Sequence, residues 1–325
     1  MTSIAMKNFP SSEERVWAVL AHLSALAMGM GLILPVIGWA EQRLKSKYVA
    51  YQSLQALGYQ TLGYTVWILV GLLVGVFSIF FLLFNLESAL NSEAALTGWM
   101  FAHFGFTFAI LGFYFVPPIV AAVACALGKD FRYPIMGNRL AKYLKYDSGN
   151  EDSLDENHED RWVAAAGHFS VIIALWGMLA PLIAWILQGK RSLWLKFQSV
   201  QAIVFHALVL ALVFFAGVLY MVGFFVFIIL TGFGETSAMS SSVGLIALIV
   251  MLVSMLIALM VLLLVPLFHI TGQWAGYRVL KGDDYRYPLI GRLVARVILS
   301  GAESATKNLQ SRRRDPSVAK SAPSG

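Results

Sequence analysis

The stretch Glu14–Leu57 occurs twice in the chain. Sliding the sequence by 146 positions sets Arg15 on Arg161, His22 on His168, Ser24 on Ser170, Pro35 on Pro181, Trp39 on Trp185, Gln52 on Gln198 and Gln55 on Gln201. About 14 of 44 positions coincide without a gap, and most of the others exchange one apolar residue for another. A match at fixed offset signals internal duplication and dictates that any fold be built from two like units. The repeats close on a second matched motif, GKDFRYP at Gly128–Pro134 and GDDYRYP at Gly282–Pro288, now offset by 154. The second copy therefore carries extra residues in its outer loop or last helix.

Each unit is too apolar for water. Charged residues make up 13% of the chain and apolar residues 58%, where a soluble domain carries roughly a quarter charged. Gly58–Phe84, Gly98–Leu127, Val163–Leu187, Ala202–Thr231 and Val243–Tyr277 each exceed the roughly 18 residues that span a bilayer as a helix. Because these runs are continuous and not alternating, a β-barrel is excluded. The composition predicts an all-α polytopic membrane protein. The first run, Val16–Ala40, resembles a signal peptide only superficially, since its motif recurs internally around His168, and it is read as retained. The single cysteine, Cys125, forbids an intrachain disulfide and reads as a small buried hydrophobe.

Gly29, Gly31 and Pro35 interrupt the first apolar element, and Gly177 and Pro181 interrupt its copy. A kinked span and a re-entrant hairpin of two short helices both fit such a break. Loop charge separates them. Arg43, Lys45 and Lys47 follow the first element, and Lys190, Arg191 and Lys196 follow its copy. Both repeats also end in basic segments, while the remaining connections hold only Glu87, Glu93 and Glu235. Positive loops stay cytoplasmic, so every basic segment belongs on one face. Each repeat must then cross the membrane an even number of times, and the Gly/Pro element must turn back. The prediction is two parallel repeats, each a broken helical hairpin plus two long transmembrane helices, the second of them broken at Pro117-Pro118 in the first copy. Inverted repeats are the alternative.

The resulting organisation is a lead-in (1–13), repeat 1 (14–146), an acidic linker (147–159), repeat 2 (160–299) and a basic, disordered tail (300–325). The linker lacks the ligand spacing of a calcium loop, and no metal or cofactor is expected. The tail, with Arg312-Arg313-Arg314, and the other basic segments suit anionic lipid better than nucleic acid. The expected partners are therefore the bilayer and other membrane proteins, and the expected location is the cytoplasmic membrane, with both termini cytoplasmic.

Polar groups inside membrane helices are costly and mark candidate sites. His22 and His168 form one matched pair. They either line a cavity or bond to carbonyls freed by the Gly/Pro break. Gln52 and Gln55, with Gln198 and Gln201, form a second matched set on one helix face, lining a vestibule or joining helices. Arg132-Tyr133-Pro134 and Arg286-Tyr287-Pro288 read as cytoplasmic elbows: proline forces the tyrosine out of helical geometry, the arginine reaches a phosphate or carbonyl, and the tyrosine anchors at headgroup depth. No zinc-type cluster, phosphate-cradling glycine loop, nucleophile elbow or intramembrane carboxylate pair is visible, so no enzyme is predicted.

The combination of ERVWAVLAHLS, Leu34-Pro35, YQSLQAL and GKDFRYP resembles the bacterial domain of unknown function 4870 family, itself similar to the chloroplast import component Tic-twenty. The resemblance covers Glu14–Tyr146 and Asp160–Arg296 and implies a compact four-helix unit per copy. Many relatives in that family carry a histidine where this chain has Gln52 and Gln198, so titratable groups are replaced by amides. Two functions remain open from the sequence. One is a non-enzymatic structural or accessory component of a membrane complex; the other is a pore or protein-translocation component.

Overall fold

The computed structural model describes residues 9–85, 92–147, 154–232 and 242–298. The acidic outer-loop residues Glu87 and Glu235, the first eight residues, the middle of the linker and the basic tail lie outside them. Among the described residues all regular structure is helical.

The chain enters α1 (Ser12–Leu23) through a capping box: the Ser11 hydroxyl accepts from the Glu14 N–H at 3.2 Å, and Glu14 accepts from the Ser11 N–H at 2.7 Å. A 3₁₀ segment, Ser24–Leu32, leads to α2 (Ile33–Gln42). Were these one straight helix, Glu14 and Ser46 would lie roughly 48 Å apart. Instead the Ser46 hydroxyl donates to Glu14 at 2.5 Å. The element is therefore a hairpin. Its turn is made at Met28, with φ 51° and ψ −131°, and the second copy repeats the conformation at the equivalent Ala174, with φ 48° and ψ −130°. There α6 (Glu156–Phe169) and the short turn after it meet α7 (Leu179–Gln188) at 114°. Gly31 and Gly177 are required at these turns, because a Cβ would lie 2.0 Å and 1.9 Å from the carbonyl oxygens of Ser24 and Ser170.

After each hairpin runs a long helix, α3 (Lys47–Phe84) and α8 (Leu193–Thr231), capped by Ser46 and Ser192. At 38 residues α3 is roughly 57 Å long, far more than a bilayer core needs. Its two halves differ. Every buried residue of α3 falls between Tyr48 and Thr61, whereas large apolar side chains from Val66 to Phe84 are exposed. The first half belongs to a packed layer with the hairpins, and the second half presents the apolar surface that lipid covers.

The return helix of repeat 1, α4 (Glu93–Ala126), does not break at Pro117-Pro118 as expected but continues through both. Pro118 cannot donate to the carbonyl of Tyr114. That oxygen instead accepts the Tyr59 hydroxyl at 2.7 Å, which is how a membrane helix tolerates proline. In repeat 2 the return is divided into α9 (Ser242–Leu262) and α10 (Val265–Leu280), with proline at the start of α10. Each repeat ends in a loop and a short helix, α5 (Met136–Leu144) and α11 (290–298).

The two hairpins lie side by side and point the same way. At their open ends Arg43, which follows α2, pairs with Glu159 at 2.8 Å and Asp160 at 3.0 Å at the start of α6. Arg191, which follows α7, also binds Asp160 and reaches Glu156 at 3.0 Å. At the other end the tips meet, since a Cβ on Gly29 would lie 2.7 Å from the Cβ of Trp176. Between them Trp162 lies over Gly58 and donates its indole N–H to the Leu54 carbonyl at 2.8 Å. The acidic stretch is thus not all solvated linker. Asp155 caps α6, and Glu159 and Asp160 are buried against Arg43.

Candidate functional site: a duplicated polar clasp

The predicted site residues assemble into two networks, one within each repeat. In repeat 1, His22 on α1 contacts the Tyr133 hydroxyl through Nδ1 at 3.0 Å and the Gln52 Oε1 through Nε2 at 2.9 Å. The Gln52 amide nitrogen donates to Asp130 at 3.1 Å and to the Phe131 carbonyl at 3.0 Å. Gln55, one turn on, donates to Gln52 Oε1 at 3.1 Å and to the same carbonyl at 3.0 Å, and accepts the Tyr133 N–H at 2.8 Å. Repeat 2 has the same bonds. His168 contacts Tyr287 and Gln198 at 3.1 Å each. Gln198 and Gln201 donate to the Tyr285 carbonyl, Gln198 reaches Asp284, and the Tyr287 N–H donates to Gln201 at 2.9 Å.

The chemistry of the partners assigns the protons. Both amide nitrogens face pure acceptors, so Gln52 Oε1 points at the histidine and must receive a proton from it. His22 therefore carries its hydrogen on Nε2, and Nδ1 accepts the Tyr133 O–H. The same holds for His168 and Tyr287. Burial holds both tyrosine hydroxyls well above their usual pKa, so they remain donors. Every histidine and glutamine in the two networks is fully buried. The arrangement joins α1, the first half of the long helix and the terminal loop, and it leaves no lone pair or proton of the histidine ring unused.

The elbows differ from the expectation in one respect. Tyr133 and Tyr287 are each 3% exposed and face inward, because the histidine and glutamine oxygen recruit their O–H and N–H; they are not headgroup anchors. The residues after Pro134 and Pro288, Ile135 and Leu289, both have φ 66° and turn the chain into α5 and α11. Arg132 and Arg286 stay outside and pair with Asp130 at 3.3 Å and Asp284 at 2.7 Å. Sequence reasoning passed over these aspartates, although their identity in the two copies of the loop motif marked them. His206 and Gln60, at equivalent positions, brace the hairpin turns. His206 approaches Ser170 at 3.5 Å, and Gln60 donates to Ser24 at 2.9 Å. Among the described residues no cluster of His, Cys, Asp and Glu could hold a metal ion.

The clasp and its duplication coincide with a family boundary. The family model described as the magnetosome magnetite crystal formation protein family, MamF/MmsF, matches residues 13–140 and again 159–294. The chain belongs to this family. The match replaces the resemblance to the domain of unknown function 4870 family and to Tic-twenty, which does not stand. The motifs that carried that resemblance supply the histidine, the glutamines and the terminal loop of the clasp. Here they close each helical repeat on itself. Comparison with curated proteins and with solved structures gave no match. As a MamF/MmsF member the chain is a multi-pass membrane protein, one of a family described by magnetite crystal formation, with one family unit in each half.

Proposed function

We propose that this MamF/MmsF member serves magnetite formation as a non-enzymatic scaffold, a rigid two-repeat platform in the membrane around the crystal. The observation that carries this reading is the bonding of the six buried histidine and glutamine side chains. Each is spent on its own repeat, so none is left as a nucleophile, a base or the wall of a wet path. The basic segments, among them Lys45, Lys129, Arg139, Lys190 and Arg292, face the cytoplasm and rest on anionic lipid, at about 1 kcal/mol per charge near the surface. Both termini lie on that side.

The test has two readouts. In a strain lacking the gene, crystals seen by electron microscopy should change in size or shape and recover on complementation. Purified protein in dye-loaded liposomes should leak ions no faster than protein-free vesicles. A steady ion flux that disappears in His22→Ala/His168→Ala protein would replace the scaffold by a pore.

A further inference from the structure

The contact between the repeats is not reciprocal. Repeat 1 offers α2 and the buried half of α3; repeat 2 offers α6 and α7. Trp39 donates its indole N–H to Glu159 at 2.9 Å, but its equivalent Trp185 is 38% exposed, and Glu13, the equivalent of Glu159, is exposed too. Trp162 lies over Gly58 inside the seam, while the equivalents Val16 and Val204 are 57% and 40% exposed. In α6 every residue from Trp162 to Phe169 is buried, because Ala164, Ala165, Ala166 and Gly167 let neighbours approach from both sides. In α1 the outer side, with Val16 and Leu20, is uncovered.

One side of the internal seam is therefore left open at each end of the molecule. We infer that a second copy of this chain docks there, its α1 seating on α7 and α8 of the first as α6 seats on α2 and α3 within the chain. Such a contact is head-to-tail and can propagate into a row or close into a ring. The pairings are chemically matched. The Trp185 N–H of one molecule takes the Glu13 carboxylate of the next, as Trp39 takes Glu159. The exposed Lys190 supplies positive charge where Gly189 stands in place of Arg43. Two valines fill the space that a tryptophan and a glycine fill inside. Stacked repeat units of this kind bury successive copies of one interface. The inference does not depend on the scaffold reading.

The test uses Cys125→Ala protein carrying Val16→Cys, Val204→Cys or both, reconstituted in liposomes and treated with a short bismaleimide. The double variant should give a ladder at multiples of 35.8 kDa, extending beyond the dimer. Each single variant should stay monomeric, and a mixture of the two singles should give a dimer. A double variant that remains monomeric, or single variants that dimerise as well as the mixture, would overturn head-to-tail docking.

Discussion

Arg43→Met lowers the stability of the protein by about 3–5 kcal/mol, because it leaves the buried Glu159 carboxylate without its counter-charge and Asp160 with Arg191 alone. Arg43 is 6% exposed and lies between Glu159 and Asp160, over the ring of Trp39 at 4.7 Å. Arg191 still reaches Asp160, but Glu159 keeps only the Trp39 indole. Arg43→Lys recovers part of the loss, since an ammonium supplies charge without the two-pronged geometry that serves both carboxylates. Unfolding in detergent, followed by tryptophan fluorescence, measures the effect, and tryptic cleavage near the linker reports the parting of the repeats. A loss below about 1 kcal/mol would place the cluster with exposed ion pairs, which are worth that little.

Gln52→Leu and Gln198→Leu each cost about 2–4 kcal/mol. Each removes the acceptor of a buried imidazole N–H and a donor to the terminal loop, and a buried polar group left unpaired costs about 1–3 kcal/mol. The two losses should add in the double variant, because each network closes within its own repeat and shares no partner with the other. Thermal unfolding of the two single variants and the double checks this. Strong non-additivity would mean that the six side chains form one continuous site, as a shared cavity would require. Tyr133→Phe is expected to cost less than Gln52→Leu, since it deletes a single donor.

Much of the architecture was legible because duplication puts the same information in the chain twice. The hairpin followed from combining the Gly/Pro break with loop charge, and Met28 and Ala174 show its physical form. Hydropathy alone would have given one 31-residue span over Ser12–Gln42. The six site residues were legible as costly polar groups at matched positions, but their partners were not. The Tyr133 and Tyr287 hydroxyls come from more than 100 residues away, and Pro134 and Pro288 suggested a surface turn instead of a side chain directed inward. Pro117-Pro118 misled for a similar reason, since the Tyr59 hydroxyl that satisfies the freed carbonyl lies on another helix. Glu159 read as linker because it stands among seven acids within fourteen residues that look solvated; only the docking of Arg43 shows that it and the neighbouring Asp160 are core. The family was read wrongly from motifs that describe how a repeat closes.

Two family units standing the same way up in one membrane underlie both the scaffold and the docking surface. Cysteines at Leu44 and Lys190, exposed residues just after the two hairpins, test it most directly in Cys125→Ala protein. With parallel repeats, a membrane-impermeant maleimide added outside sealed vesicles that carry the protein in one orientation labels both sites or neither, and the same reagent sealed inside gives the opposite result. Labelling of one site from each face would contradict the parallel arrangement.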